Sequence, residues 1–217
     1  MRSNTLERLA PLSGVLFFVL IVVTIVLTSD TPGATDKTAD VVKYWTDNDT
    51  KEIIGNLVGG IAVVTLIWFG AVLKSTFSEL GGEARRLALL SFAGALTIGV
   101  SGGIASSIGF AAADTAGDVP GTVTQSISVL NEDMFILFIA GVLIFNAANA
   151  RLILGYGGFP RWMGWFSVLL LVISLTPIGF IGLFGSVIWV LIASIMMFRG
   201  QQGAPPQPAV ATPESVT

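Results

Sequence analysis

The groups able to do chemistry in this chain are few. Its 217 residues include no cysteine and no histidine. That removes thiolate nucleophiles, disulfides and thiolate metal sites, together with the side chain most used for proton transfer near neutral pH. Carboxylates, hydroxyls, amides and a few cations remain. Glu132 and Asp133 are the only adjacent carboxylates. As a pair they would hold a cation or serve as acid and base, but neighbouring positions on a helix do not face each other. Their simpler role is negative charge at the start of a helix, where the dipole favours it. Asn146 and Asn149, three residues apart, share a helix face just before Arg151. They read as a small polar site or, more simply, as hydrogen bonds between helices. Asn56 invites the same two readings. Gly155-Tyr156-Gly157-Gly158 is a flexible loop, since it lacks the lysine-serine ending of a phosphate cradle. No catalytic, cofactor-binding or metal-binding residue is assigned, and no cofactor is implied.

These groups must be positioned by a membrane bundle. The chain is 53% hydrophobic and 12% charged, against about 25% charged in soluble domains. Its formal net charge of -3 argues against nucleic acid as a partner. The segment Gly164–Phe198 holds no Asp, Glu, Lys or Arg and is bounded by Arg161 and Arg199. One straight helix of that length would be roughly 52 Å long, while the hydrocarbon core is ~30 Å thick. Two passes are expected, broken at Thr176-Pro177-Ile178-Gly179, where proline interrupts the helix and Gly179 permits a bend.

The pattern predicts an all-α, polytopic bundle of six transmembrane helices with both termini cytoplasmic. The spans are expected at about 12–28, 53–73, 87–110, 134–150, 160–177 and 179–198, within a single membrane domain over 1–200. Residues 201–217, rich in Pro, Ala, Gln and Thr, are expected to be a disordered cytoplasmic tail. The first apolar run is long for a signal peptide and lacks a good cleavage site, so it reads as a span. Between spans one and two lies an acidic loop in which Ala39–Trp45 predicts a short helix, with Tyr44 and Trp45 at the membrane interface. Asp49 and Glu52 predict the start of the next helix. Ala111–Asn131 reads as a second outer loop. Pro160 fits a first helical turn, and Arg199-Gly200 a helix end.

Charge orients the bundle. Eight of the Lys and Arg residues fall on one side (Arg2, Arg8, Lys74, Arg85, Arg86, Arg151, Arg161, Arg199) and three on the other (Lys37, Lys43, Lys51). The richer side is cytoplasmic by the positive-inside rule. None of the six spans carries a charge away from its ends, which argues against a proton-coupled pump or a voltage sensor. Gly55 with Gly59 and Gly99 with Gly103 have the spacing of close helix packing, and the third span, with its many glycines, Ser101, Ser106 and Ser107, is expected to be central.

Arg8-Leu9-Ala10-Pro11-Leu12-Ser13-Gly14, the outer Ala39–Trp45 helix and Phe159-Pro160-Arg161-Trp162-Met163-Gly164-Trp165 resemble a group of uncharacterised six-helix integral membrane proteins from actinobacteria and other bacteria. The likeness covers most of the chain except the tail. It implies the bacterial plasma membrane and supplies no activity and no site residues. The leading expectation is therefore a non-enzymatic interaction, accessory or structural subunit. Its partners are the lipid bilayer and, through packing, other membrane proteins or further copies of itself. The alternatives are a transporter or pore for small neutral or lipophilic molecules, which a hydrated cavity beside Ser101 and Gly103 would favour, and a small lipid-modifying enzyme, which an outer cleft joining Glu132 and Asp133 to a loop acid would favour.

Overall fold

A computed structural model describes residues 8–33 and 35–203, and among them there is no strand. A 3-10 turn at Ala10–Leu12 leads into α1 (Ser13–Thr28). There follow α2 (Thr38–Asp47), α3 (Asp49–Ser78), α4 (Gly82–Thr115), α5 (Gly121–Asp133), α6 (Phe135–Tyr156), α7 (Arg161–Ser174) and α8 (Gly179–Gly203). Among the described residues, five stretches are long and apolar enough to cross a membrane: Ala10–Thr28, Asp49–Ser78, Gly82–Thr115, Gly121–Tyr156 and Gly179–Gly200. Large apolar side chains such as Val26, Val64, Trp68 and Ile136 face outward, as they must where the solvent is lipid and not water. The protein is a helical, multi-pass membrane protein.

The expected fifth span is the exception. Residues 160–177 form a helix of only 14 residues, α7, about 21 Å long. Pro160 precedes it as the N-cap and lies outside the first turn. The break at 175–178 is where the sequence places it, but Gly179 is not a left-handed hinge. It begins α8, and a Cβ there would come within 3.0 Å of the Ser174 carbonyl. Proline makes the break, and glycine lets the two helix ends sit together.

Several helices outrun their expected spans. The 34 residues of α4 reach about 51 Å, longer than the ~30 Å lipid core. The segment expected as a second outer loop is largely helical, because 121–133 forms α5, separated from α6 by Met134 alone. Glu132 and Asp133 therefore close α5; the N-cap of α6 is Met134, with no side-chain cap bond. The Arg199-Gly200 stop is overrun, with α8 continuing through Gly203. The rest of the proposed tail, 204–217, lies outside the described residues, as does Arg2.

The helix ends sort into two faces. At one, Tyr156 of α6 donates to Glu83 of α4, and Phe159 packs on Phe77 of α3. Arg85, Arg86, Arg151 and Arg161 belong to this basic end. Both of its turns use glycine where an L side chain would be strained: φ is 73° and 52° at Gly81 and Gly82, and 90° and 87° at Gly157 and Gly158. At the acidic end, α2 and α5 form a cap. Thr38 donates to Gln125, whose amide donates to the Asp36 carbonyl at 3.1 Å. Trp45 does not lie at a lipid interface. With Val41 it is fully buried against Ala112 and Ala113 at the end of α4.

As expected, α4 is central, lying between α3 and α6. A Cβ on Gly94 would lie 2.5 Å from the Phe145 backbone nitrogen, and one on Gly141 2.7 Å from that of Ile98. These two glycines, and not Gly99 with Gly103, make the closest backbone crossing. Gly99 packs on Ile67, whereas Gly103 has open space beside it. Gly55 and Gly59 do admit α1, through Leu27, Thr28 and Thr24. The central core joins Phe69, Leu73, Phe145, Met163 and Trp189, with Phe145 and Trp189 edge to face at 5.2 Å.

Candidate functional site

A cavity of about 320 Å³ lies between α1, α3, α4 and α8, on the acidic half of the bundle. Its walls are mainly apolar, with Phe17, Ile21 and Ile25 from α1, Ala62 and Leu66 from α3, and Leu183, Phe184 and Val187 from α8. At the basic end α1 and α8 are pinned. Ser194 donates to the Pro11 carbonyl and accepts from the Val15 amide at 3.1 Å, which supplies a partner for one of the orphan N–H groups at the start of α1. Gly14 permits that approach, since a Cβ there would meet Phe69 and Ser194 at 2.7 and 2.9 Å. Among the described residues no such hydrogen bond joins α1 and α8 toward the acidic end, and the space lies there. Ile25 and Phe184 line it and are also exposed on the outer surface, so the space reaches the surface of the bundle between α1 and α8.

One charged side chain lines this space. Glu52, in the first turn of α3, is 1% exposed. The helix start expected at Asp49 and Glu52 is where the structure has it, with both acids in the first turn of α3, but neither is the cap. The N-cap is Asn48, with no side-chain cap bond; its amide instead donates to the Tyr44 carbonyl at 2.9 Å, closing α2. Glu52 turns inward, where its Oε1 accepts the Tyr44 hydroxyl at 2.5 Å. The Asn56 amide donates to the Glu52 carbonyl at 2.9 Å and approaches Oε2 at 3.5 Å. Gly109 makes room for that amide, because a Cβ there would fall 2.5 Å from Asn56 Oδ1. Burial raises the Tyr44 phenol above its ordinary pKa, and the hydrogen bond to Glu52 and the Glu52 charge push it further the same way. Tyr44 is thus a donor held in its protonated form.

The other sequence candidates are dispersed. Asn131 lines the cavity, whereas Glu132 and Asp133 beside it are exposed, so no acid pair enters the space. Ser101 is buried and bonds to the Thr97 carbonyl at 2.8 Å. The hydroxyl facing the cavity from α4 is Ser106. Asn146 donates to Ser186 on α8 at 2.8 Å, and Ser91 on α4 donates to Asn149 at 3.0 Å. Both asparagines bind helix to helix, away from Asn56. Reasoning from sequence missed Glu52 as a site residue because hydropathy places it just outside span two; the signal was Tyr44 eight positions before it. The chain matches no protein-family model, no curated protein and no solved structure.

Proposed function

We propose that this is a non-enzymatic protein of the bacterial plasma membrane that accommodates a lipophilic molecule in the cavity between α1, α3, α4 and α8. It belongs with the six-helix bacterial membrane proteins its motifs resemble. Its basic end is cytoplasmic and its α2–α5 cap external, with six passes counting α7. The charge-free run from Gly164 to Phe198 supports that count, because it is too long for a single pass. The carrying observation is the cavity itself. A bundle filled with side chains would favour a purely structural subunit. This one leaves a space within the range of small-molecule sites, about 300–1,000 Å³, with an apolar wall and an opening between α1 and α8.

The test is binding of a neutral fluorescent lipophile, N-phenyl-1-naphthylamine, to the purified protein in a mild nonionic detergent. Saturable enhancement is expected with the wild type. Ala105→Phe, which fills the cavity from α4, is expected to weaken it at least about tenfold, the loss of about 1.4 kcal/mol. Enhancement that does not saturate, or that Ala105→Phe leaves unchanged, overturns the proposal.

A further inference from the structure

We propose that the cavity selects lipophilic cations, seating the apolar body against α1, α4 and α8 and the positive group against the carboxylate of Glu52. The inference rests on the cavity's being a ligand site, and it adds the charge of the ligand. A carboxylate almost wholly removed from solvent is normally paired with a cation. Among the described residues the ion pair present is Lys51 with Asp30, at 3.1 Å and exposed; Glu52 has none. Its hydrogen-bond partners, Tyr44 and Asn56 with Thr31 beside them, are neutral donors, and two carboxylate oxygens offer about four acceptor positions. Capacity therefore remains for a charge-assisted contact from the cavity side.

Three further features point the same way. Glu52 lies in the first turn of α3, at the positive end of the helix dipole. The acidic end carries ten carboxylates (Asp30, Asp36, Asp40, Asp47, Asp49, Glu52, Asp114, Asp118, Glu132, Asp133) against three lysines, a field that concentrates cations near the site. The rest of the lining is mainly apolar and Glu52 is its one carboxylate, whereas a bare calcium ion takes about six to eight oxygen ligands, commonly with several carboxylates among them. An organic cation with an apolar body satisfies both the carboxylate and the walls.

The experiment compares octyltrimethylammonium with 1-octanol as competitors of bound N-phenyl-1-naphthylamine. In the wild type the cation is expected to displace the dye at a concentration at least about tenfold lower than the alcohol, the size of one charge-assisted contact. Glu52→Gln is expected to abolish that preference, whereas Asp133→Asn, on the exposed surface, keeps it. A second measurement needs no variant: labelling of Glu52 by dicyclohexylcarbodiimide, read by mass spectrometry, should be blocked by octyltrimethylammonium and not by octanol. Equal displacement by cation and alcohol, or a preference that survives Glu52→Gln, overturns the cation inference and leaves the cavity as a neutral site. Failure of the dye to bind at all overturns the cavity reading instead.

Discussion

The hydroxyl of Tyr44 donates to Oε1 of Glu52 at 2.5 Å, tying the α2 helix of the cap to the first turn of a membrane-crossing helix. Tyr44 lies on the same short helix as Trp45, and their rings meet edge to face at 5.7 Å. One face of α2 is thus anchored by a buried indole and the next by a hydrogen bond to a buried acid. The cap and the cavity are therefore parts of one structure: movement of α2 moves the group that holds Glu52.

Replacing Tyr44 with Phe keeps the ring and removes the donor. Glu52 then loses a partner while still buried, a change of about 1–3 kcal/mol. Thermal unfolding in detergent should show a clear loss of stability. Adding Glu52→Gln to Tyr44→Phe should cost less than the two single changes summed, because the pair acts as a unit. Strict additivity would show that the bond contributes nothing to the fold.

The Tyr44 phenol also makes a pH prediction. The folded protein holds the phenolic proton more tightly than the unfolded chain does. Stability from this source is complete below the unfolded phenol's pKa of about 10 and is lost as pH rises through the folded value. There are two tyrosines, so Tyr156→Phe leaves Tyr44 as the sole phenol. Absorbance near 295 nm should then show no phenolate at about pH 10, followed by an abrupt rise that coincides with unfolding. A smooth titration at the ordinary value, with the fold intact, would refute the raised pKa.

At the α4–α6 crossing, Gly94 and Gly141 face backbone atoms that cannot rotate away. Gly141→Ala should destabilise by about 1–3 kcal/mol, the usual range for overpacking. Gly103→Ala should be neutral or stabilising, since the space beside it is open and alanine favours helix over glycine by about 1 kcal/mol. Unfolding temperatures and yields of monodisperse protein separate the two, and equal behaviour would count against the crossing.

Topology can be tested without removing native thiols, because the chain has none. A membrane-impermeant maleimide applied to intact cells should label Asp118→Cys near the cap and spare Glu79→Cys at the basic end, both exposed positions. Permeabilisation should make both reactive. Labelling of Glu79→Cys in intact cells would invert the proposed orientation.

Much of the architecture is local in origin and so could be read along the chain. Lipid acts as a solvent on each segment separately, and an apolar run must be helical because its backbone has no other partner there. That is why α1, α3, α4, α6 and α8, the break at Pro177 and the separation of basic from acidic ends follow from residue order. Helix lengths were less legible: α4 continues past Phe110 because Ala111, Ala112 and Ala113 sustain a helix and the cap buries two of them, and α7 stops at Ser174 because the turn before Pro177 intervenes. Tertiary structure alone decided which glycines meet backbone, which face of α2 is buried, and whether space remains between α1 and α8. It also turned Glu52 inward. The difference is one of range: hydropathy is summed within a segment, whereas the Glu52 site depends on Tyr44, Asn56 and Gly109 arriving from three helices, and no pattern within one helix records that meeting.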